Sequence, residues 1–451
     1  KTYFTNIDIF DWQVFDAVKL EVFRILTLGI AGFDDPLTQK SMTESAVSLQ
    51  SLKTVLARYG AHDPQAQLLS RQLSAAITHL KSSKNFGAFD RARFITVYGN
   101  PITRSITRLE QHLKIQVIKY NRLLRQDAET LFDANAFNVD AYAPNMASAS
   151  TAKKTALGKM LFSDPVLSGT MTRSCRSCHQ PEKTFTDGLT KNTVIGTQQP
   201  LKRNTPTLLN AALQPSQFYD LRANTLEDQV SNVVHNPNEM HGDMAVAAQR
   251  LWQNKTYRKL FAAAYPQKRR TAIDTLEVMN AIASYVRSLA VLNSRFDAYM
   301  RGNKAAMNSS EINGFNLFMG KAKCGTCHYM PLFNGTLPPR FGKMESEVIG
   351  VPQTANGNVI DEDLGRYDIM QTPSFKNAFK VTTVRNAART APYMHNGVFT
   401  TLPEVIDFYN KGGGTGLGMQ IDNQTLPFDK LNLTDKESED IIAFIKSLNS
   451  K

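Results

Sequence analysis

Between Ile106 and Leu124 the apolar positions Ile106, Leu109, Leu113, Val117, Tyr120 and Leu124 recur at spacings of three and four, the period of a helix that buries one face. Leu49, Leu52, Leu56 and Tyr59 repeat the pattern upstream, so residues 1–137 read as an α-helical accessory domain whose stripes form core. From Asn138 to Thr151 the periodicity stops and small, turn-forming residues take over, which predicts a linker over 138–151. Further on, helical stretches such as Leu276 to Leu292 and Lys436 to Leu448 alternate with Gly- and Pro-rich loops. Alternating apolar and polar runs are short and scarce, so few strands are expected. The pattern predicts a mainly α fold, with two helical units of comparable size over 152–300 and 301–451 after the accessory domain.

Length supports more than one unit, since 451 residues exceed what a single hydrophobic core usually organises. A composition of 42% hydrophobic and 20% charged residues is that of an ordinary globular protein. No apolar run approaches the roughly 18 residues of a membrane span, which argues against a membrane-spanning chain. Fifty-two basic against 40 acidic side chains give a net charge of +12, which favours acidic surfaces as neighbours or only aids solubility. No Lys/Arg run or nucleic-acid module stands out, so nucleic acid is not an expected partner.

All four cysteines fall in two pentapeptides, Cys175-Arg-Ser-Cys178-His179 and Cys324-Gly-Thr-Cys327-His328. Two thiols separated by two residues on a tight turn can each add to one haem vinyl, and the adjacent histidine is then placed to coordinate the iron. Two disulfides or a four-cysteine zinc site also use Cys-x-x-Cys pairs, but neither needs a histidine directly after each second cysteine. The motifs therefore predict two covalently bound haem c groups, with His179 and His328 as iron ligands. Such haems are attached outside the cytosol, so a periplasmic or otherwise exported protein is expected, its export signal absent from this chain. A haem ligated on both faces only moves electrons, whereas one with an open face binds peroxide or another small ligand. A non-catalytic electron carrier therefore stands beside an enzyme at this point.

Around the motifs lie Leu157-Gly-Lys-Met-Leu-Phe-Ser-Asp-Pro165, Arg203-Asn-Thr-Pro-Thr-Leu-Leu-Asn-Ala211, Gln217-Phe-Tyr-Asp-Leu-Arg222, Asn236-Pro-Asn-Glu-Met240, Asp363-Leu-Gly-Arg366 and Val384-Arg-Asn-Ala-Ala-Arg-Thr-Ala-Pro-Tyr-Met-His-Asn-Gly397. With these segments the chain from about Leu157 onward resembles the bacterial dihaem cytochrome c peroxidase and MauG family. The helical segment before them lies outside the resemblance and could stabilise, orient or dock the rest.

The resemblance implies that the first haem, on His179, reacts with hydrogen peroxide and that the second, on His328, transfers electrons. Glu239 falls where the family has its distal carboxylate, which moves a proton during O–O cleavage; a capping or salt-bridging acid is the alternative. In the loop where better-known peroxidases carry an iron-capping histidine, this chain has Thr197, which implies an open first haem, although His235 or His241 could supply a ligand. Tyr219 replaces the tryptophan that lies between the haems, as a stepping stone or as packing. Tyr409 stands where electron-transfer peroxidases have a methionine ligand and MauG-type enzymes a tyrosine, with Met394 and Met419 as rivals. A calcium ion is implied at Asn204, Thr390 and Pro392. Together these features predict a dihaem c-type peroxidase or oxidase. Its electrons come from a small redox protein or, as in MauG, from a residue of a protein substrate, and a homodimer is possible.

Overall fold

The computed structural model describes residues 8–60, 62–266 and 270–450. The mainly α fold read from the pattern is the one observed. Among the described residues, the sheet is a two-residue antiparallel pair, Ser346–Glu347 with Phe379–Lys380, in which Ser346 faces Lys380. Also among them, no helix is long and apolar enough to cross a membrane.

The chain opens with helices Asp11–Thr27, Ser41–Leu56 and Pro64–Ser82, the last started by Asp63, whose carboxylate accepts from the backbone of Gln65 and Ala66. A continuous helical run then passes through Arg91–Arg93, a π turn at Phe94–Gly99 and Asn100–His112. The π turn immediately precedes Pro101, whose ring nitrogen cannot donate to the helical ladder. Leu49 and Leu56 are buried and Leu52 and Tyr59 pack against the same core, as their spacing predicts. The second stripe is cut short. The helix stops at His112, Lys114 adopts a left-handed φ of 54°, and Val117 and Tyr120 are exposed. The run from Ile115 to Ile118 includes three β-branched residues, which disfavour helix, and Leu124 is buried instead through a bridge to Phe137. Between His112 and Ala152 the chain has no α-helix, only bridges, turns and a 3-10 turn at Met146–Ser148, pinned where Asp140 accepts from Ser150 and where the Tyr142 hydroxyl donates to the Phe341 carbonyl.

Both later units are built on one helix crossing used twice. Helix Ala152–Ser163 crosses Thr275–Arg287 at Gly158, and Ser309–Met319 crosses Asp435–Ser447 at Gly314. A Cβ at either glycine would lie 1.8 Å from a carbonyl oxygen of the facing helix, that of Ala281 or of Asp440. The local sequence repeats as well, Gly158-x-x-Leu161-Phe162 and Gly314-x-x-Leu317-Phe318, and a Cys-x-x-Cys-His turn follows each helix. Gly314→Ala is expected to force the helices apart and cost about 1–3 kcal/mol of stability in denaturant unfolding. Gly342→Ala, where a Cβ meets nothing within 4 Å, serves as the neutral control.

The buried side chains form two clusters. One closes within residues 157–286. The other joins the N-terminal helices to residues 296–448, with Phe132 on Phe296 at 5.9 Å between ring centroids and Phe137 on Phe341 at 5.5 Å. Fully buried Arg91 donates to the carbonyls of Ile30, Phe86 and Phe89 and packs against Gly320, just before the second cysteine motif.

Candidate functional site

At each motif a tight turn brings the cysteines and the histidine together. His179 N–H donates to the Cys175 carbonyl at 2.9 Å, and His328 N–H to that of Cys324 at 2.9 Å. Each imidazole uses Nδ1–H toward a backbone carbonyl, Phe185 at 3.1 Å for His179 and Thr382 at 3.0 Å for His328. A carbonyl can only accept, so the proton sits on Nδ1 and Nε2 keeps the lone pair an iron needs. Burial lowers the pKa of both rings, that of His328 to about 4, which keeps them neutral. None of the four thiols is bridged, and burial pushes them up, Cys175, Cys324 and Cys327 to about 12 and Cys178 to about 11. They are therefore neither thiolates nor a redox dithiol poised for attack. Among the described residues no three His, Cys, Asp or Glu side chains group to hold a metal. The donor set fits a thioether-linked haem at each motif.

A cavity of about 270 Å³ opens at the second motif, lined by Cys324, Cys327, His328 and, on helix Leu402–Asn410, Tyr409. That helix is started by the Thr401–Glu404 capping box and Pro403. Burial, then the neighbouring Cys324 and Cys327 thiols and Glu347, push the Tyr409 phenol far above its usual range, so without a metal it is neutral. Met394 also lines the cavity, whereas Met419 is buried and not part of the lining. Sequence reading missed two further lining groups, Glu347, whose carboxyl burial pushes up, and Lys380, whose ammonium burial pushes down to about 8. Their signal was weak, a two-residue strand pair.

Glu239 lies outside that cavity, in the turn that follows helix Leu226–His235. Asn236 Nδ2 donates to its Oε1 at 2.7 Å, and Arg173 donates to its backbone carbonyl at 3.1 Å. Burial raises the carboxyl above its ordinary value, opposed by Arg222, Asn236 and Arg173. Arg173 stands two residues before Cys175, so its bond to the Glu239 carbonyl ties this turn to the first motif. The loop with Thr197 is tied to the same turn by Ile195 N–H on the Asn238 carbonyl at 3.0 Å, and Thr197 is exposed. His235 is exposed with Nδ1 on the Ser231 carbonyl at 2.9 Å, and His241 is exposed too.

Tyr219 and Phe218 reach the cavity from the first half, and the Tyr219 carbonyl accepts from Lys380 N–H at 2.7 Å. Burial pushes the Tyr219 phenol far up. Beside it Arg203 joins the halves, bidentate to Asp363 at 2.7 and 3.0 Å and bound to Asp220 at 2.6 Å. Burial opposes the Asp363 charge, but Arg203, the Gly365 N–H and Lys202 together outweigh it and hold the carboxyl down to about 2. Asn204, Thr390 and Pro392 line the same cavity. Asn204 Nδ2 donates to the carbonyls of Leu189 at 2.8 Å and Thr190 at 3.3 Å, which fixes the amide and leaves its oxygen as a free acceptor. An amide oxygen is the kind of donor that a hard cation such as calcium takes.

A family profile described as di-haem cytochrome c peroxidase matches residues 152–305. The chain is 32% identical over 324 residues to the cytochrome-c peroxidase IdrP2 of Denitromonas iodatirespirans, covering 68% of this chain and 84% of that protein. It is 32% identical over 301 residues to the methylamine utilization protein MauG of Methylorubrum extorquens, covering 67% and 79%. A crystal structure of a MauG-like protein associated with microbial copper homeostasis aligns with a TM-score of 0.62 at 30% identity, over 68% of this chain and 92% of the other.

Proposed function

Because the chain belongs to the di-haem cytochrome c peroxidase and MauG family of oxidoreductases, we propose that it reduces hydrogen peroxide at the first motif with electrons that arrive through the second. Two haem c groups, held by Cys175, Cys178 and His179 and by Cys324, Cys327 and His328, supply the peroxide-binding iron and the electron store. The observation that carries this reading is the Glu239 carboxyl, half-buried beside the first motif, raised in pKa and held through one oxygen. With Oε1 engaged by Asn236, Oε2 is free to take the proton from the inner oxygen of a bound peroxide and return it to the outer one, so that the O–O bond would break with the outer oxygen leaving as water and the other reduced to water by two electrons from the haems and two protons.

Tyr219 would serve as the stepping stone between the halves, and Tyr409 would be the second protein ligand of the haem held by His328. Asn204, Thr390 and Pro392 hold a calcium ion at the junction. Two features favour MauG-like oxidation of a residue in a protein substrate over a small redox protein as the electron source. Tyr409 rather than Met419 shares the cavity with His328, and an exposed threonine occupies the loop where a capping histidine would stand. We place the reaction in the periplasm, where c-type haems are attached.

Electronic and electron paramagnetic resonance spectra of the oxidised protein test the scheme. One high-spin and one low-spin haem are expected, with an immediate spectral change on adding one equivalent of peroxide. Two low-spin haems that ignore peroxide until one is reduced would replace the open site with a capped, reductively activated one.

A further inference from the structure

The imidazole of His395 is 2% exposed and lies flat on Phe379, with ring centroids 3.7 Å apart and planes 9° from parallel. Its Nε2 is 3.0 Å from Asp361 Oδ1. Asp361 also accepts from Asp363 N–H at Oδ1 and from Asn396 Nδ2 at Oδ2, both at 3.0 Å, so its oxygens act as acceptors throughout. The imidazole proton therefore resides on Nε2, and Nδ1 is a bare lone pair. That nitrogen is buried and meets no donor in the protein, while His395 lines the cavity shared with Asn204, Thr390 and Pro392. The His395 carbonyl accepts from Asn204 N–H at 2.7 Å, so the two residues are immediate neighbours.

This wall of the cavity thus presents two acceptors fixed by their other contacts, Asn204 Oδ1 and His395 Nδ1, without a protein donor for either. The buried one, His395 Nδ1, costs free energy in this state unless a donor meets it. A hard cation takes amide and backbone oxygens directly but does not favour a neutral imidazole nitrogen, whereas the water molecules on such a cation are strong donors.

We infer that His395 is a positioning residue for a hydrated cation at Asn204, Thr390 and Pro392, its Nδ1 accepting a hydrogen bond from a cation-bound water while Asp361 holds the ring in the accepting tautomer. The inference rests on the calcium reading above and adds to it the part of the shell that is not direct ligation. Phe379 and Asp361 fix the ring in place and in protonation, so the water, and through it the cation, meets a preset acceptor. Partners of this kind contribute about 10–100-fold to metal affinity.

Calcium titrated calorimetrically into the haem-loaded protein, after removal of divalent ions, tests this. Wild type is expected to bind one calcium ion and Asn204→Leu to lose it. His395→Phe, which keeps the stack on Phe379 but removes Nδ1 together with the Nε2–H bond to Asp361, is expected to bind about 10–100-fold more weakly, with its haem spectra unchanged. Asp361→Asn, which frees the proton to move to Nδ1, is expected to weaken binding as well, and it provides the reading if the phenylalanine variant does not fold. Absence of calcium binding by wild type sinks the cation reading itself. Binding lost in Asn204→Leu but equal to wild type in His395→Phe, or in Asp361→Asn where that is the variant that folds, leaves the cation and removes His395 from its shell.

Discussion

Glu239→Gln is expected to slow the reaction of the oxidised protein with hydrogen peroxide by roughly 10²–10⁴-fold in stopped-flow absorbance, the range a positioned proton-transfer group contributes. Glutamine has the shape of glutamate and still offers Asn236 Nδ2 a carbonyl oxygen in place of Oε1, so the turn that joins Asn236, Arg173 and Ile195 is kept. What it loses is the ability to accept a proton. The pH profile supplies the second readout. Burial raises the Glu239 pKa, and the ionised form is the one that acts as base, so wild-type rates fall as the pH drops through a value above the ordinary carboxylate range of about 4.3. The variant has no carboxyl to titrate and its acid limb disappears. A variant with an unchanged rate and the same limb would take the proton transfer away from Glu239.

The second large effect belongs to Tyr409. Tyr409→Met is expected to raise the midpoint potential of the second haem by on the order of 0.1 V or more in a spectroelectrochemical titration, since axial ligands spread haem potentials over about 0.8 V. A phenolate is a hard anionic donor that favours ferric iron, while a thioether favours ferrous iron. The pocket adds a pH signature. Burial above all favours the neutral phenol, so only a bound cation can hold the phenolate there. Acidification is therefore expected to release the wild-type ligand before the protein unfolds, with a low-spin to high-spin change. Methionine carries no such proton and its spectrum stays flat over the same range. A potential that does not move would give the ligand role to Met394, which shares the cavity.

Much of this arrangement is legible in the chain, and the rest fails for physical reasons. The cysteine motifs identify themselves, because attachment and ligation need residues within one turn. Leu49 and Leu56 announce a buried face through their period alone. Helical period does not say what that face is buried against, so the packing of the N-terminal helices on residues 296–448 was not visible. The overlong stripe after Leu113 failed because Lys114 takes a left-handed φ without the glycine that would flag it. Glu239 and Tyr409 are one acid and one tyrosine among many, and only the resemblance singled them out. Lys380 and His395 acquire meaning only when distant segments meet, Tyr219 with Lys380 and Asp361 with His395. A further signal lies in the chain itself, the repeated Gly-x-x-Leu-Phe that marks the same helix crossing at Gly158 and at Gly314.

The cluster that joins residues near the start to residues near the end also sets an order of events in time. The chain is delivered N-terminus first, from a ribosome or through an export channel, and the middle unit, whose buried cluster closes within residues 157–286, can collapse as soon as that stretch has emerged. Phe132 and Arg91 must wait for Phe296 and Gly320, and the cluster is complete only with Phe444 and Leu448. Until then the N-terminal helices carry an apolar face with nothing to cover it, the state in which a nascent chain most needs a chaperone and is most open to proteolysis. Truncation from the C-terminal end should therefore be felt first at the opposite end of the polypeptide.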